Sequence, residues 1–196
     1  GRYKVATVDG QDVKAKAVLI ATGSDYKKLG VPGEKELYGR GVHYCATCDG
    51  AFYRDKTLVV VGGGNSALQE TIFLTRYATH IDLLVRSTIK ASDVLQHELQ
   101  KYVAAGKVTV HLQTTTDEIL ITDGRASGVR VTEKGEQHDI ITDGIFVFVG
   151  LQPNTAFLEG SGVELDEVGL VKTDQHLMTT LDGVFASGDV RSGATM

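Results

Sequence analysis

The chain has 196 residues, of which 42% are hydrophobic and 23% charged, and its formal net charge is −5. This composition excludes a disordered chain, and the negative balance argues against a nucleic-acid surface or attraction to anionic lipid. No apolar run approaches the roughly 18 residues that a membrane helix needs.

The length suits one good core, or one complete domain with parts of another. The 23 glycines and 2 prolines fall between short apolar runs, the punctuation of an α/β protein. Both cysteines lie in one C-x-x-C element, which fits a reducing compartment with one redox or metal site better than a secreted disulfide scaffold. A cytoplasmic protein is expected.

Residues 1–14 alternate weakly and read as a hairpin with Asp9-Gly10 at its turn. Ala17–Ala21 reads as a buried-type strand that ends in Thr22-Gly23-Ser24, where small residues permit a close backbone approach. Val31-Pro32-Gly33 is a candidate connection between folding units. Cys45-Ala46-Thr47-Cys48-Asp49-Gly50 follows.

From Thr57 the pattern is regular. A strand over Thr57–Val61, a glycine turn, a helix over Asn65–Ala78 and a strand over Ile81–Val85 make one βαβ unit. Ser92 offers an N-cap to a helix from Asp93 to Ala105, with Leu95, Leu99, Tyr102 and Val103 as its apolar stripe. Val108–Leu112 is a further strand. Three alternating runs, Glu118–Thr122, Ala126–Thr132 and Gln137–Thr142, read as an antiparallel meander. Ile145–Gly150 is a buried strand, Gln152-Pro153-Asn154 a second candidate connection, and the chain then runs to Ser187-Gly188-Asp189-Val190.

Gly62-x-Gly64-x-x-Ala67 follows an apolar strand and opens a helix, the context in which a glycine fingerprint signals dinucleotide binding rather than close packing alone. Gly62 permits the turn, Gly64 lets backbone N–H groups reach a pyrophosphate, and Ala67 allows close helix–strand packing. The second strand ends in Val85-Arg86-Ser87-Thr88-Ile89-Lys90, without the carboxylate that would bind a ribose 2′-hydroxyl. Arg86 and Lys90 could pair a 2′-phosphate, which favours NADP(H) over NAD; the alternative is a solvated pair of surface charges.

Cys45 and Cys48 admit three readings. A zinc site needs four ligands, and beyond two thiolates only His43 offers itself; inert buried cysteines are the second reading; a redox disulfide is the one preferred. Asp49 reads either as a proton donor to a departing thiolate or flavin, or as a turn residue. Histidines 80, 97, 111, 138 and 176 show no ligand spacing and read as ordinary surface or core residues.

Taken together in this order, Ala21-Thr22-Gly23, Cys45-Ala46-Thr47-Cys48-Asp49-Gly50, Gly62-Gly63-Gly64-Asn65-Ser66-Ala67 and Ser187-Gly188-Asp189-Val190 resemble the bacterial-type low-molecular-weight thioredoxin reductases, over nearly the whole chain. The resemblance implies an α/β fold with a Rossmann-like dinucleotide-binding domain, a parallel sheet with an antiparallel meander, flanked by partial FAD-domain segments. It implies FAD and NADPH as cofactors, thioredoxin as partner, a homodimer, and a nucleotide domain that rotates against the FAD domain about two linkers. Cys48 would receive electrons from the flavin, Cys45 would attack the partner disulfide, and Asp49 would be the acid. Gly62, Gly64, Asn65 and Ser66 would surround the nicotinamide nucleotide, with Arg86 and Lys90 toward the 2′-phosphate. Thr22, Gly23, Gly188 and Asp189 would lie on the FAD side.

Where the family usually carries further arginines, Ser87 and Lys90 stand here, which weakens the expected preference for NADPH over NADH. The N-terminal FAD fingerprint of the family is absent, so the chain is expected to be a central piece. Residues 1–30 would end the first FAD segment, 31–152 would form the NADPH domain with the disulfide, and 153–196 would begin the second FAD segment. Such a piece should bind nucleotide without completing the catalytic cycle. Two other functions fit the same residues: a flavoprotein reductase for a peroxiredoxin or another small dithiol partner, and a nucleotide-binding redox sensor.

Overall fold

A computed structural model of the chain describes residues 4–194. The chain divides into two compact units, one formed by residues up to Asp25 and from Leu151 onward, the other by Tyr26–Gly150. In chain order the strands begin with β1 (Lys4–Val8), β2 (Gln11–Ala15), β3 (Val18–Ile20) and β4 (Ser24–Tyr26). The second unit contains β5 (Val42–His43), helix α1 (Ala46–Asp49), β6 (Thr57–Val61), α2 (Asn65–Leu74), β7 (His80–Val85), α3 (Asp93–Ala104) and β8 (Val108–Leu112). It continues through β9 (Thr114–Thr122), β10 (Arg125–Glu133), β11 (Glu136–Ile141) and β12 (Gly144–Val147). β13 (Leu151–Pro153) and β14 (Val184–Ala186) follow in the first unit.

The second unit is built on a five-stranded sheet in the order β5-β12-β6-β7-β8, parallel throughout. Its strands are almost continuously apolar because both faces are covered. Leu58, Val60, Leu83 and Phe146 face α2 and α3, where Leu68, Leu74 and Leu99 pack against them. Val59, Val61, Leu84, Ile145 and Val147 face the other way, onto Ile119, Val129 and Val131 of the meander β9-β10-β11. Complete burial of each such side chain stabilises the fold by about 1.5–3 kcal/mol. This Rossmann-like α/β layering with an added meander is the one expected from the sequence.

Strand order sets the position of the site. From β6 the chain steps outward to β7 and β8, whereas β12 and then β5 lie on β6's other side. The carboxyl ends of β6 and β12 therefore flank a point where the direction of winding reverses, and crevices of open α/β sheets form at such points.

Several local expectations are corrected. Helix α2 ends at Leu74, not Ala78, because the Thr75 hydroxyl donates to Ile72 O at 2.7 Å and Arg76 N–H to Phe73 O, tightening the last turn. Ser92 precedes α3 without a side-chain cap bond; its N–H instead donates to Asn65 Oδ1 at 2.8 Å. The buried strand at 145–150 is shorter, ending at Val147 as the chain turns toward the β6 glycines. The Ala17–Ala21 run is β3, in which Ile20 is buried but Leu19 is 64% exposed. An unbroken apolar run does not reveal how many of its faces are covered.

The first unit contains the β1–β2 hairpin, with Val8 opposite Gln11 across the Asp9-Gly10 turn, and the parallel pair β3–β14. Ile20, Val171, Val184, Ala186 and Val190 form its core. Val31-Pro32-Gly33 lies inside the second unit, where Ile119 N–H donates to Pro32 O at 3.0 Å.

Candidate functional site

A cleft of about 680 Å³ opens at the carboxyl ends of β6 and β12. Gly62, Gly63, Gly64, Asn65 and Ser66 form its floor, Arg86, Ser87 and Lys90 one wall, and Lys27, Lys28 and Thr114–Thr116 contribute elsewhere. The two fingerprint glycines serve different ends. A Cβ at Gly62, where φ is +147°, would stand 2.3 Å from Phe148 O and 2.8 Å from Ala67 Cβ, so glycine there is required by the fold itself. Gly64 has ordinary extended backbone (φ −94°, ψ −177°), and a Cβ there would meet nothing within 4 Å. Its missing side chain leaves room at the head of α2, where Gly64 supplies no side-chain cap and the first backbone N–H groups point out of the helix. That combination fits a dinucleotide pyrophosphate.

Arg86 and Lys90 are exposed, and neither makes a salt bridge among the described residues. Asn65 turns its side-chain oxygen to Ser92 N–H, bracing the loop that carries Lys90. Lys27, Lys28 and the threonines of β9 were not foreseen as lining residues, since no local motif marks them.

The cysteine element follows the carboxyl end of β5. Cys45 and Cys48 are joined by a disulfide, as preferred from the sequence, with Cα atoms 5.3 Å apart. Cys45 caps α1, its sulfur accepting from Cys48 N–H at 3.2 Å; Cys48 is exposed and Cys45 half-buried. His43, considered only as a third metal ligand, has both ring nitrogens engaged by other side chains. Its Nδ1 lies 3.0 Å from Asp49 Oδ2 and its Nε2 2.6 Å from Tyr53 Oη. Burial pushes the His43 pKa down; Asp49 pulls it up less strongly, and Arg125 adds to the depression. Burial likewise pushes the Tyr53 hydroxyl up.

In the first unit, Thr22-Gly23 follow β3 and Gly188-Asp189 follow β14, so the pairing of Ile20 with Ala186 brings both segments to one strand-end edge. Ser24 Oγ donates to Asp189 O at 2.8 Å, and Thr22 Oγ1 to Asn154 O at 2.7 Å. The Asp189 carboxylate is exposed at this edge. Parallel strand ends with glycines and an acid are where a flavin nucleotide's ribityl and phosphate region can lie, so these residues fit the group.

A sequence model of the pyridine nucleotide-disulphide oxidoreductases matches residues 1–196. The chain belongs to that family. It is 42% identical over 192 residues to thioredoxin reductase of Bacillus subtilis (strain 168), covering 96% of this chain and 60% of the relative. It is 40% identical over 193 residues to thioredoxin reductase of Listeria monocytogenes, covering 97% and 59%. The solved structure of Lactococcus lactis thioredoxin reductase (FR conformation) superimposes with a TM-score of 0.83 at 35% identity, covering 100% of this chain and 64% of that one. The chain thus spans about 60% of the length of the curated relatives it matches. The resemblance drawn from the motifs agrees with these relatives. Family membership implies FAD and a pyridine nucleotide, NAD(H) or NADP(H). No helix among the described residues is long and apolar enough to cross a membrane.

Proposed function

We propose that the full-length protein is an NADPH-dependent, FAD-containing thioredoxin reductase that works through the Cys45–Cys48 disulfide. The observation that carries this reading is a closed disulfide at an exposed turn, within the same compact unit as the dinucleotide cleft. Bound there, a reduced nicotinamide would supply two electrons as hydride, with FAD as the relay that the family implies.

The chain's own residues do the rest. Gly62, Gly64, Asn65 and Ser66 seat the pyrophosphate on α2, while Arg86 and Lys90 hold the 2′-phosphate. Thr22, Gly23, Gly188 and Asp189 hold FAD. Two electrons and two protons open Cys45–Cys48 to a dithiol, with Cys48 as the sulfur that would receive the electrons and Asp49 as the acid that would protonate the departing thiolate. Cys45 thiolate then attacks the thioredoxin disulfide, forming a mixed disulfide and releasing one partner thiol. Cys48 attacks Cys45 sulfur, restores the ring and releases the second. Residues 31–152 act as the nucleotide domain and 1–30 and 153–196 as parts of the FAD domain, in a cytoplasmic homodimer.

The test is NADPH-dependent reduction of thioredoxin by the full-length protein and its Cys48→Ser variant. The variant should bind NADPH as the native protein does and lose turnover to background. Retained turnover refutes the dithiol route.

A further inference from the structure

His43 has no part in the function proposed above, yet it is buried and bonded to Asp49, the acid of that function. It lies on β5, two residues before Cys45, and is 7% exposed. Phe146 stacks on its ring at 5.2 Å with an interplanar angle of 27°, and Tyr53 closes the edge. Both ring nitrogens are engaged, Nδ1 with Asp49 and Nε2 with Tyr53. Asp49 is the one member of this row that reaches solvent, its side chain being 31% exposed while Tyr53 is 7% exposed.

The partners determine the tautomer. An Asp49 carboxylate only accepts, so Nδ1 carries the proton and Nε2 accepts from the Tyr53 hydroxyl. Protonated on Oδ1, Asp49 still accepts from Nδ1–H through Oδ2, so the ring keeps its proton and its bond to Tyr53. A neutral imidazole therefore offers a matched hydrogen bond to either form of Asp49 without moving.

We propose that His43 is a positioning residue for proton transfer at the Cys45–Cys48 disulfide, holding the Asp49 carboxyl in one orientation through both its protonation states by a constant Nδ1–H···Oδ2 bond. The inference rests on the reading of Cys45–Cys48 as a redox couple with Asp49 as its acid. Opening the disulfide takes up two electrons and two protons, and closing it returns them, so Asp49 must alternate between its two forms in every cycle. Burial of the ring favours the neutral imidazole that this arrangement needs, against the pull of Asp49 and together with the push of Arg125. Asp143 acts on Tyr53 at the far end, and Phe146 contributes no charge.

The test uses the purified protein with dithiothreitol as reductant, whose dithiolate supplies the two electrons and ends as a cyclic disulfide. The rate of Cys45–Cys48 opening, corrected for dithiothreitol thiolate, is followed by quenched alkylation across pH. His43→Phe keeps the stack on Phe146 and removes both hydrogen bonds. Its corrected rate should fall about tenfold near neutral pH, a modest share of the about 10²–10⁴ that a placed acid supplies, and the shape of the pH profile should change. A role in packing alone would lower the rate equally at every pH, and that result overturns the proposal. Should His43→Phe fail to fold, nitrogen NMR of the native imidazole decides. The oxidised protein should show the proton on Nδ1; a proton on Nε2 overturns the proposal. Failure of the electron route would appear elsewhere, as retained NADPH turnover in Cys48→Ser, so the two failures are distinguishable.

Discussion

Replacing Gly64 by alanine separates what the fold needs from what the ligand needs. The backbone at Gly64 is in a region open to any residue, and the added methyl meets nothing within 4 Å. Stability should therefore stay within about 0.5 kcal/mol, or rise by about 0.4–1 kcal/mol from the stiffer unfolded chain. The methyl does enter the space before the head of α2. Displacing a pyrophosphate there loses at least one charge-assisted N–H bond, worth about 1.5–3 kcal/mol, and so weakens NADPH by about 10- to 150-fold. Gly62→Ala is the counterpart. With φ at +147° and Phe148 O at 2.3 Å from the new Cβ, backbone strain of about 1–3 kcal/mol adds to overpacking of about 1–3 kcal/mol. Thermal unfolding and calorimetric titration with NADPH read both effects. Native NADPH affinity in a stable Gly64→Ala protein would refute the placement of the pyrophosphate, and an unchanged melting temperature in Gly62→Ala would refute the packing argument.

Two further predictions concern single charges. Arg86→Gln should weaken NADPH by about 10- to 100-fold while leaving NADH within about twofold, because only the former presents a phosphate to the guanidinium; equal losses for both coenzymes would disprove the assignment. His111 is held between Asp82 Oδ1 at 2.9 Å and Glu133 Oε2 at 3.3 Å, and hydrogen bonding to Asp82 foremost raises its pKa above 6.5. A raised folded-state pKa means the folded protein binds the proton more tightly. The stabilisation is then full below pH 6.5 and is lost as pH rises through the folded value. The gap in melting temperature between the native protein and His111→Gln should narrow from mildly acidic to alkaline pH, and a constant gap would contradict this.

The frame of the second unit was legible because β6, β7 and β8 are apolar runs bounded by glycine or polar turns, and their helices start and end within a few residues of the expected places. β5 was not legible. It is two residues long and is a strand only because Val42 and His43 pair with Ile145 and Phe146, about a hundred residues later. The disulfide and the glycine turn are local motifs and could be read directly. The His43 contacts could not, since they depend on how α1 and the following 3₁₀ turn fold back over β5. His111 looked ordinary for a similar reason. Its partners Asp82 and Glu133 lie on strands whose register no local pattern specifies.

The attachment of β5 to β12 alone among the sheet strands has a consequence for biosynthesis. The segment bearing both sulfurs leaves the ribosome early, but the strand that secures it is the last of its unit to emerge. Until Gly144–Val147 arrives, the two thiols lack their sheet anchor and are open to oxidants and to foreign cysteines. A nascent chain stalled before that point should be vulnerable to crosslinking in a way the finished molecule is not.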